Sequence, residues 1–290
     1  MQQISLKALL EAGCHFGHKV EKWHPKAGAF IYGEKDGVHI IDLAKTRANL
    51  TVAADYVQSL GKEGKTFLLI GTKRQARGVV TQAAKKGNTY YMTNHWVGGF
   101  LTNFEEVRKN IDKLNKMRKE SADGSWQQFP KHERVALEKE MRKLSRVYEG
   151  VADLTALPDA VFIVDIRKES NCVAEATRRN IPIIAIVDTN SNPTLVGYPI
   201  PANDDAVGSI ELIVNYLVEA YSEGKGAWEK SVRVATGKEM KEVDKVETVN
   251  KVEKVEKVEA KKPKSVKAEK PKKKIMKKFK SKISNVKSTT

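Results

Sequence analysis

The sequence is poor in cysteine and has no long hydrophobic run. Its two cysteines, Cys14 and Cys172, have no companion at metal-ligand or redox spacing, which indicates a reducing compartment, with the cytoplasm as the default, and argues against a disulfide framework. The longest aliphatic run, residues 181–187, is interrupted by Pro182, and a membrane-spanning helix needs about 20 apolar residues. We therefore expect a cytoplasmic protein with no membrane partner.

Motifs of the common enzyme classes are also missing. The turn at residues 71–76 has one glycine where a dinucleotide fingerprint needs three, and it lacks the Gly-Lys-Ser/Thr ending of a P-loop. No Gly-x-Ser-x-Gly elbow or His-Glu-x-x-His pair occurs. We predict no catalytic residue, no cofactor and no metal, and hence no enzyme. The sequence leaves open whether His18 with Asp204 and Asp205 holds an ion.

Positive charge is abundant and unevenly distributed. The chain has 52 Lys and Arg against 36 Asp and Glu, a net charge of +16. Residues 238–290 contribute 19 Lys against 8 acidic residues, or +11, which leaves +5 for residues 1–237. We predict that residues 229–290 are a disordered Lys-rich tail. Such a tail is either a non-specific tether for polyanions or a solubilising segment.

Between residues 38 and 221 short apolar runs alternate with longer amphipathic ones. This alternation is typical of parallel strands joined by crossover helices and predicts an α/β domain. The globular domain is predicted to span residues 1–102 and 152–228. We expect its strands at residues 38–41, 66–70, 89–92, 160–165 and 181–187, and helices at residues 43–60, 74–86 and 171–180.

Residues 103–151 interrupt this pattern. Thr102 and Glu105 have the spacing of a capping box, and apolar residues then recur every three or four positions in two successive segments separated by a polar turn. The two segments predict an inserted antiparallel coiled-coil hairpin with basic outer faces.

Two segments combine aromatic side chains with cations or flexible glycines. Residues 18–26 contain Trp23 among His and Lys, and residues 95–103 place Trp96 beside two glycines. Such segments can stack on bases and donate to phosphates. The alternative is that both tryptophans are partly buried anchors. The basic turn at residues 73–77 is either an anion site at a helix N-terminus or an ordinary surface turn.

The motifs also carry a family resemblance, collinear from about residue 3 to residue 228. The chain resembles the bacterial family of the second protein of the small ribosomal subunit. The resemblance implies a Rossmann-like or flavodoxin-like parallel sheet flanked by helices, with an inserted coiled-coil hairpin. It also implies binding to small-subunit ribosomal RNA. The motifs are Gly13-Cys14-His15-Phe16-Gly17-His18, Trp23-His24-Pro25-Lys26, residues 37–46, residues 71–76, residues 96–103, residues 157–160, Arg167-Lys168-Glu169 and residues 181–190.

The resemblance implies a structural constituent of the small ribosomal subunit. The partners it implies are small-subunit ribosomal RNA, neighbouring ribosomal proteins and the large messenger-binding first protein of that subunit. A Rossmann-type nucleotide-binding enzyme with a basic arm and a coiled-coil interaction protein are the alternatives. The candidate RNA-binding residues are Lys22, Trp23, Lys26, Lys73, Arg74, Arg77, His95, Trp96, Asn103 and Arg108.

Overall fold

The computed structural model describes residues 4–232. The predicted disordered tail, residues 229–290, lies outside the described residues from residue 233 onward, and its first four residues are helical rather than disordered. Within them, no helix is both long and apolar enough to cross a bilayer. The helices are α1 (Leu6–Glu11), α2 (Leu43–Lys62), α3 (Arg74–Gly87), α4 (Phe104–Ala122), α5 (Lys131–Tyr148), α6 (Ser170–Arg178) and α7 (residues 207–232). The strands are β1 (Phe16–Lys19), β2 (Ile31–Lys35), β3 (Val38–Ile41), β4 (Phe67–Ile70), β5 (Tyr90–Met92), β6 (Ala160–Ile163), β7 (Ile183–Val187) and β8 (Tyr198–Pro201).

Five parallel strands form the central sheet in the order β5-β4-β6-β7-β8. The inner strands are apolar at every position because helices cover both faces of the sheet. Alternate side chains enter different cores, as β4 shows: Phe67 and Leu69 pack in one cluster, and Leu68 and Ile70 in the other. The expected parallel α/β sheet flanked by helices is confirmed.

Helices α2, α3 and α7 cover one face of the sheet, and α4 and α6 the other. The carboxylate of Asp42 begins α2 by accepting from the backbone N–H groups of Ala44 and Lys45. Where α2 and α7 cross, each helix has a glycine at the contact, Gly61 in α2 and Gly224 in α7. A Cβ added to Gly61 would lie 2.5 Å from the Tyr221 carbonyl oxygen, and one on Gly224 would lie 2.2 Å from a backbone oxygen of α2. The two helix backbones are therefore in direct contact.

The prediction that residues 38–41 belong to the parallel sheet is wrong. This strand, β3, lies between β1 and β2 in a separate antiparallel sheet. The hairpin turn at Asp36 and Gly37 has positive φ angles of 52° and 74°, as tight turns between antiparallel strands require. Backbone contacts hold this sheet against the late strands: the N–H of His24 donates to the Thr189 carbonyl at 2.8 Å.

Helices α4 and α5 lie where two helices were predicted, and they contact each other. The coiled-coil hairpin itself is not confirmed. Helix α4 buries four apolar side chains, whereas α5 buries only Tyr148 within its bounds. The capping-box prediction is wrong. Asn103 is the residue before α4, and the hydroxyl of Thr102 donates to Glu175 instead of capping the helix.

Candidate nucleic-acid interface

Half of the candidate residues follow strands at the carboxyl edge of the parallel sheet. Lys73, Arg74 and Arg77 follow β4, and His95 and Trp96 follow β5. The strand order reverses between β4 and β6, because β4 leads to β5 on one side and β6 leads to β7 on the other. In doubly wound sheets the crevice at this point is the usual ligand site.

In this protein a lysine side chain occupies that crevice. Lys73 Nζ lies 2.6 Å from Asp205, 2.9 Å from Asp204 and 3.5 Å from Asp165. Burial alone lowers the pKa of Lys73, but hydrogen bonds to Asp205 and Asp204 outweigh it and raise that pKa. The charge of Lys73 is thus compensated within the chain. A phosphate entering here would meet three carboxylates, which disfavours a nucleotide in the crevice.

His18 shares Asp205 with Lys73 and also contacts Asp188. Its Nδ1 lies 3.1 Å from Asp188 and its Nε2 lies 3.5 Å from Asp205. The hydrogen bond to Asp188 raises the pKa of His18. Burial, with the charges of Asp188 and Asp165, raises the pKa of Asp204 to about 7. One ligand atom each of His18, Asp188 and Asp204 lies within 4.8 Å of the others, so these three side chains could hold a metal ion.

Arg74 and Arg77, which follow Lys73 in the turn after β4, differ in their contacts. Arg74 is exposed, and no hydrogen bond or ion pair of its side chain occurs among residues 4–232. Arg77 joins two strand ends, because its Nε donates to the Thr72 carbonyl at 2.9 Å and its guanidinium to the Asn94 carbonyl at 3.1 Å. Arg74 is therefore the more available partner for an anion.

The loop after β5 is organised by Glu175 on α6. Its carboxylate accepts from Trp96 Nε1 at 3.0 Å and from the backbone N–H groups of Gly99, Leu101 and Thr102 at 2.8–3.3 Å. Burial alone raises the pKa of Glu175, but these hydrogen bonds outweigh it and hold the pKa below its ordinary value. Trp96 is thereby fixed as a partly buried anchor.

The neighbours of that loop differ in exposure. His95 and Asn103 are exposed, as is Arg108 in the second turn of α4. Arg108 Nε lies 4.0 Å from Asp112, which is the longest ion pair on this helix. Within the described part of the chain Arg108 forms no hydrogen bond or ion pair with a residue at the carboxyl edge of the sheet, and its RNA contact stays a prediction.

Residues 22–26 pack beside the loop after β7. Lys22 and Trp23 are exposed, and Lys26 Nζ lies 3.5 Å from the Thr194 hydroxyl. Here the structure adds residues that sequence reasoning did not select. Arg167 and the amides of Asn190 and Asn192 line the same surface as Trp23. They are separated from Trp23 by more than 140 positions in the chain, so no local pattern could group them.

An α/β sheet whose ligand crevice is filled by its own lysine, and whose carboxyl edge displays exposed cations and a tryptophan, has the features of a structural scaffold rather than of a nucleotide enzyme. The comparison with known proteins agrees with this class. Residues 9–224 match the family model described as ribosomal protein S2. The chain belongs to the ribosomal protein S2 family, which confirms the resemblance and the expectation of a structural ribosomal protein that is not an enzyme.

Relatives are similar over most of both chains. The chain is 44% identical over 230 residues to the small ribosomal subunit protein uS2 of Dictyoglomus thermophilum, covering 79% of this chain and 94% of that protein. It is 42% identical over 239 residues to that of Bdellovibrio bacteriovorus, covering 82% and 76%. The uS2c protein of Rhodomonas salina is 44% identical over 224 residues, covering 77% and 92%.

Proposed function

We propose that this protein is built into the small ribosomal subunit and binds its ribosomal RNA through the carboxyl edge of the sheet. One observation carries the proposal: the side-chain nitrogens of Lys22, Arg74 and Arg167 are exposed there and have no hydrogen-bond or ion-pair partner within the described part of the chain. Unpaired cations on a rigid scaffold position RNA through its phosphates, largely independently of sequence.

The test combines particle association with salt dependence. The protein in a cell lysate should sediment with the small subunit in a sucrose gradient and remain there at moderate salt. Purified protein should bind small-subunit RNA with an affinity that falls as salt rises, and Arg74→Ala should reduce the slope of log affinity against log salt by about 1. Arg178→Ala removes an exposed arginine at the carboxyl end of α6, away from this edge, and is the matched control. Sedimentation as free protein would overturn the proposal.

The finer architecture belongs to the same proposal. The strand order β5-β4-β6-β7-β8 supports a flavodoxin-like relative of the Rossmann folds. Residues 1–102 and 152–228 then form the globular domain, and residues 103–151 form a hairpin insertion. The basic surface of α4 and α5 supports an RNA contact for that insertion, since Lys119, Lys139 and Lys143 are exposed and have no ion pair among the described residues.

The Lys-rich sequence after residue 232 is proposed as an additional polyanion tether of a cytoplasmic, ribosome-bound protein. Its composition supports this role because lysines that contact phosphates release counterions without base contacts. A chain ending at residue 232 should bind the same RNA with a smaller salt slope. An unchanged slope would assign the tail to solubility instead.

A protein partner is proposed for a different surface. Leu6 and Leu10 of α1 and Tyr32 of β2 are exposed, Tyr32 by 81%, around an apolar groove of about 410 Å³. Exposed apolar patches of this kind mark protein contacts. We assign this groove to the large messenger-binding first protein of the subunit. Leu10→Ser should weaken capture of that purified protein and leave RNA affinity unchanged.

A further inference from the structure

A second concave site lies at the carboxyl edge, beside the crevice filled by Lys73. Three chain segments meet there: residues 22–24, the start of α6 and the loop after β7. The cavity has a volume of about 430 Å³, within the range of small-ligand sites. The backbone N–H of His24 donates to the Thr189 carbonyl at 2.8 Å and joins the first segment to the third. The walls are therefore tied together without a ligand.

An aromatic ring forms one wall. Trp23 is 43% exposed although it lies in a folded segment. The inner side of the indole packs against two residues. Its ring centroid lies 5.5 Å from that of His39, and its Cζ3 would lie 3.3 Å from a Cβ added to Gly28. A side chain at Gly28 would displace the indole. A held, exposed indole is a platform on which a planar group can stack.

Amide donors lie across the cavity. Asn192 uses Oδ1 to accept from the backbone N–H and hydroxyl of Thr194, at 3.1 and 2.8 Å. Asn190 uses Oδ1 to accept from the Ser191 hydroxyl at 2.7 Å. Each side chain is oriented by its oxygen, and neither Nδ2 has an acceptor in the described region. Asn side chains of this kind hydrogen-bond the edges of unpaired bases.

Cations border the opening. Lys22 and Arg167 line the cavity, and both are exposed without an ionic partner among the described residues. Two acidic residues lie two positions from Arg167. Glu169 is buried and accepts from the Thr72 hydroxyl. Asp165 has its carboxylate engaged with Lys73 Nζ at 3.5 Å and with the backbone N–H of Arg167 at 3.0 Å. The rim thus carries uncompensated positive charge, which suits a phosphate better than an apolar group.

We propose that this cavity receives a single unstacked nucleotide of the RNA, with its base on Trp23, its edge at Asn190 and Asn192, and its phosphate at Lys22 and Arg167. The inference rests on the proposed RNA-binding function and deepens it, because it assigns recognition to an unpaired base rather than to duplex shape alone. Single-stranded loops and bulges supply such bases, whose edges are free to be bound.

The experiment measures affinity of the full chain for small-subunit ribosomal RNA, together with chemical reactivity of the RNA bases. Trp23→Ala should weaken binding about 5- to 150-fold with an unchanged salt slope, because stacking is lost and no charge is removed. Trp23→Phe should retain most of the affinity. Asn192→Asp keeps the oxygen that orders Thr194 but removes the donor and adds a negative charge, and it should weaken binding at least about tenfold. Tyr32→Ala, another exposed aromatic, is the control and should bind normally.

Base reactivity identifies the occupant. The intact protein should protect at least one unpaired nucleotide that Trp23→Ala leaves reactive and Tyr32→Ala still protects. Unfolding midpoints of the variants close to that of the unsubstituted chain exclude misfolding. If Trp23→Ala and Asn192→Asp bind normally while Arg74→Ala still reduces the salt slope, the nucleotide site is wrong and the RNA-binding function stands. If RNA binding is normal but these variants lose a ribosomal protein from the particle, the occupant is a protein and the site is likewise wrong.

Discussion

Replacing Glu175 should release the loop that follows β5. The carboxylate is the common acceptor for the Trp96 indole and three backbone N–H groups. Leu101 is fully buried, so Glu175→Ala leaves its backbone N–H without a hydrogen-bond acceptor, at a cost of about 1–3 kcal/mol. Trp96, Gly99 and Thr102 are partly exposed, so their N–H groups can donate to water instead. We expect a total loss of about 2–4 kcal/mol in the free energy of unfolding.

Glu175→Gln is the more informative change because it conserves shape. Each oxygen of the carboxylate accepts from two N–H groups. In Glu175→Gln an NH₂ group replaces one oxygen and cannot accept from its two donors, so we expect at least half of the stability loss caused by alanine. Urea unfolding measures the free energy, and hydrogen exchange of the Leu101 and Thr102 amides reports the loop itself. Glu219→Gln, at an exposed position within α7, is the control and should change stability by less than about 0.5 kcal/mol.

The contribution of Glu175 should depend on pH in one direction. Its pKa is lower in the folded protein than the ordinary Glu value of about 4.3. The stabilisation is therefore complete above about pH 5 and is lost as the pH falls through the folded pKa. The stability difference between the native chain and Glu175→Gln should shrink in acid. A difference that stays constant with pH, or unchanged exchange of the Leu101 amide, would refute the charge-based account.

Other substitutions test the packing and the crevice. Gly61→Ala and Gly224→Ala should each cost at least about 1–3 kcal/mol in unfolding free energy, because the new methyl meets backbone atoms. Gly78→Ala in α3 has open space and should stabilise by about 0.5–1 kcal/mol, so equal effects at the three sites would contradict the packing. Lys73→Met should cost about 3–5 kcal/mol, chiefly because the buried carboxylate of Asp204 loses its cation. A stable Lys73→Met protein with a reduced RNA salt slope would instead make Lys73 a phosphate contact.

The central sheet was accessible from sequence because its inner strands are continuous apolar runs. Residues 66–70 and 160–165 were predicted as strands, and β4 and β6 occupy residues 67–70 and 160–163. Helices α2 and α3 were equally clear, since their apolar positions recur at helical spacing and glycines follow or end them. These patterns depend only on neighbouring residues, so they predict strands and helices without knowledge of the tertiary structure.

Long-range pairing explains what the sequence could not show. The run at residues 38–41 has the composition of a strand, but composition does not specify an antiparallel partner. The role of Glu175 depends on donors 73–79 residues earlier in the chain. The engagement of Lys73 depends on aspartates 92–132 residues later. For the candidate RNA-binding residues, the structure gives position and exposure, and contact with RNA stays a prediction.

The attachment of the first residues to the last strands bears on how the protein folds during synthesis. The Asn203 N–H donates to the Cys14 carbonyl at 3.1 Å, and the His18 N–H donates to the Thr189 hydroxyl at 2.8 Å. At typical synthesis rates roughly 10–40 s separate the emergence of residues 14 and 203. During that interval the amino-terminal sheet has no partner. The nascent chain therefore lacks these attachments of the segment around Leu9, which is fully buried in the folded protein, until residue 203 has emerged, and we expect chaperones to bind this segment during that interval.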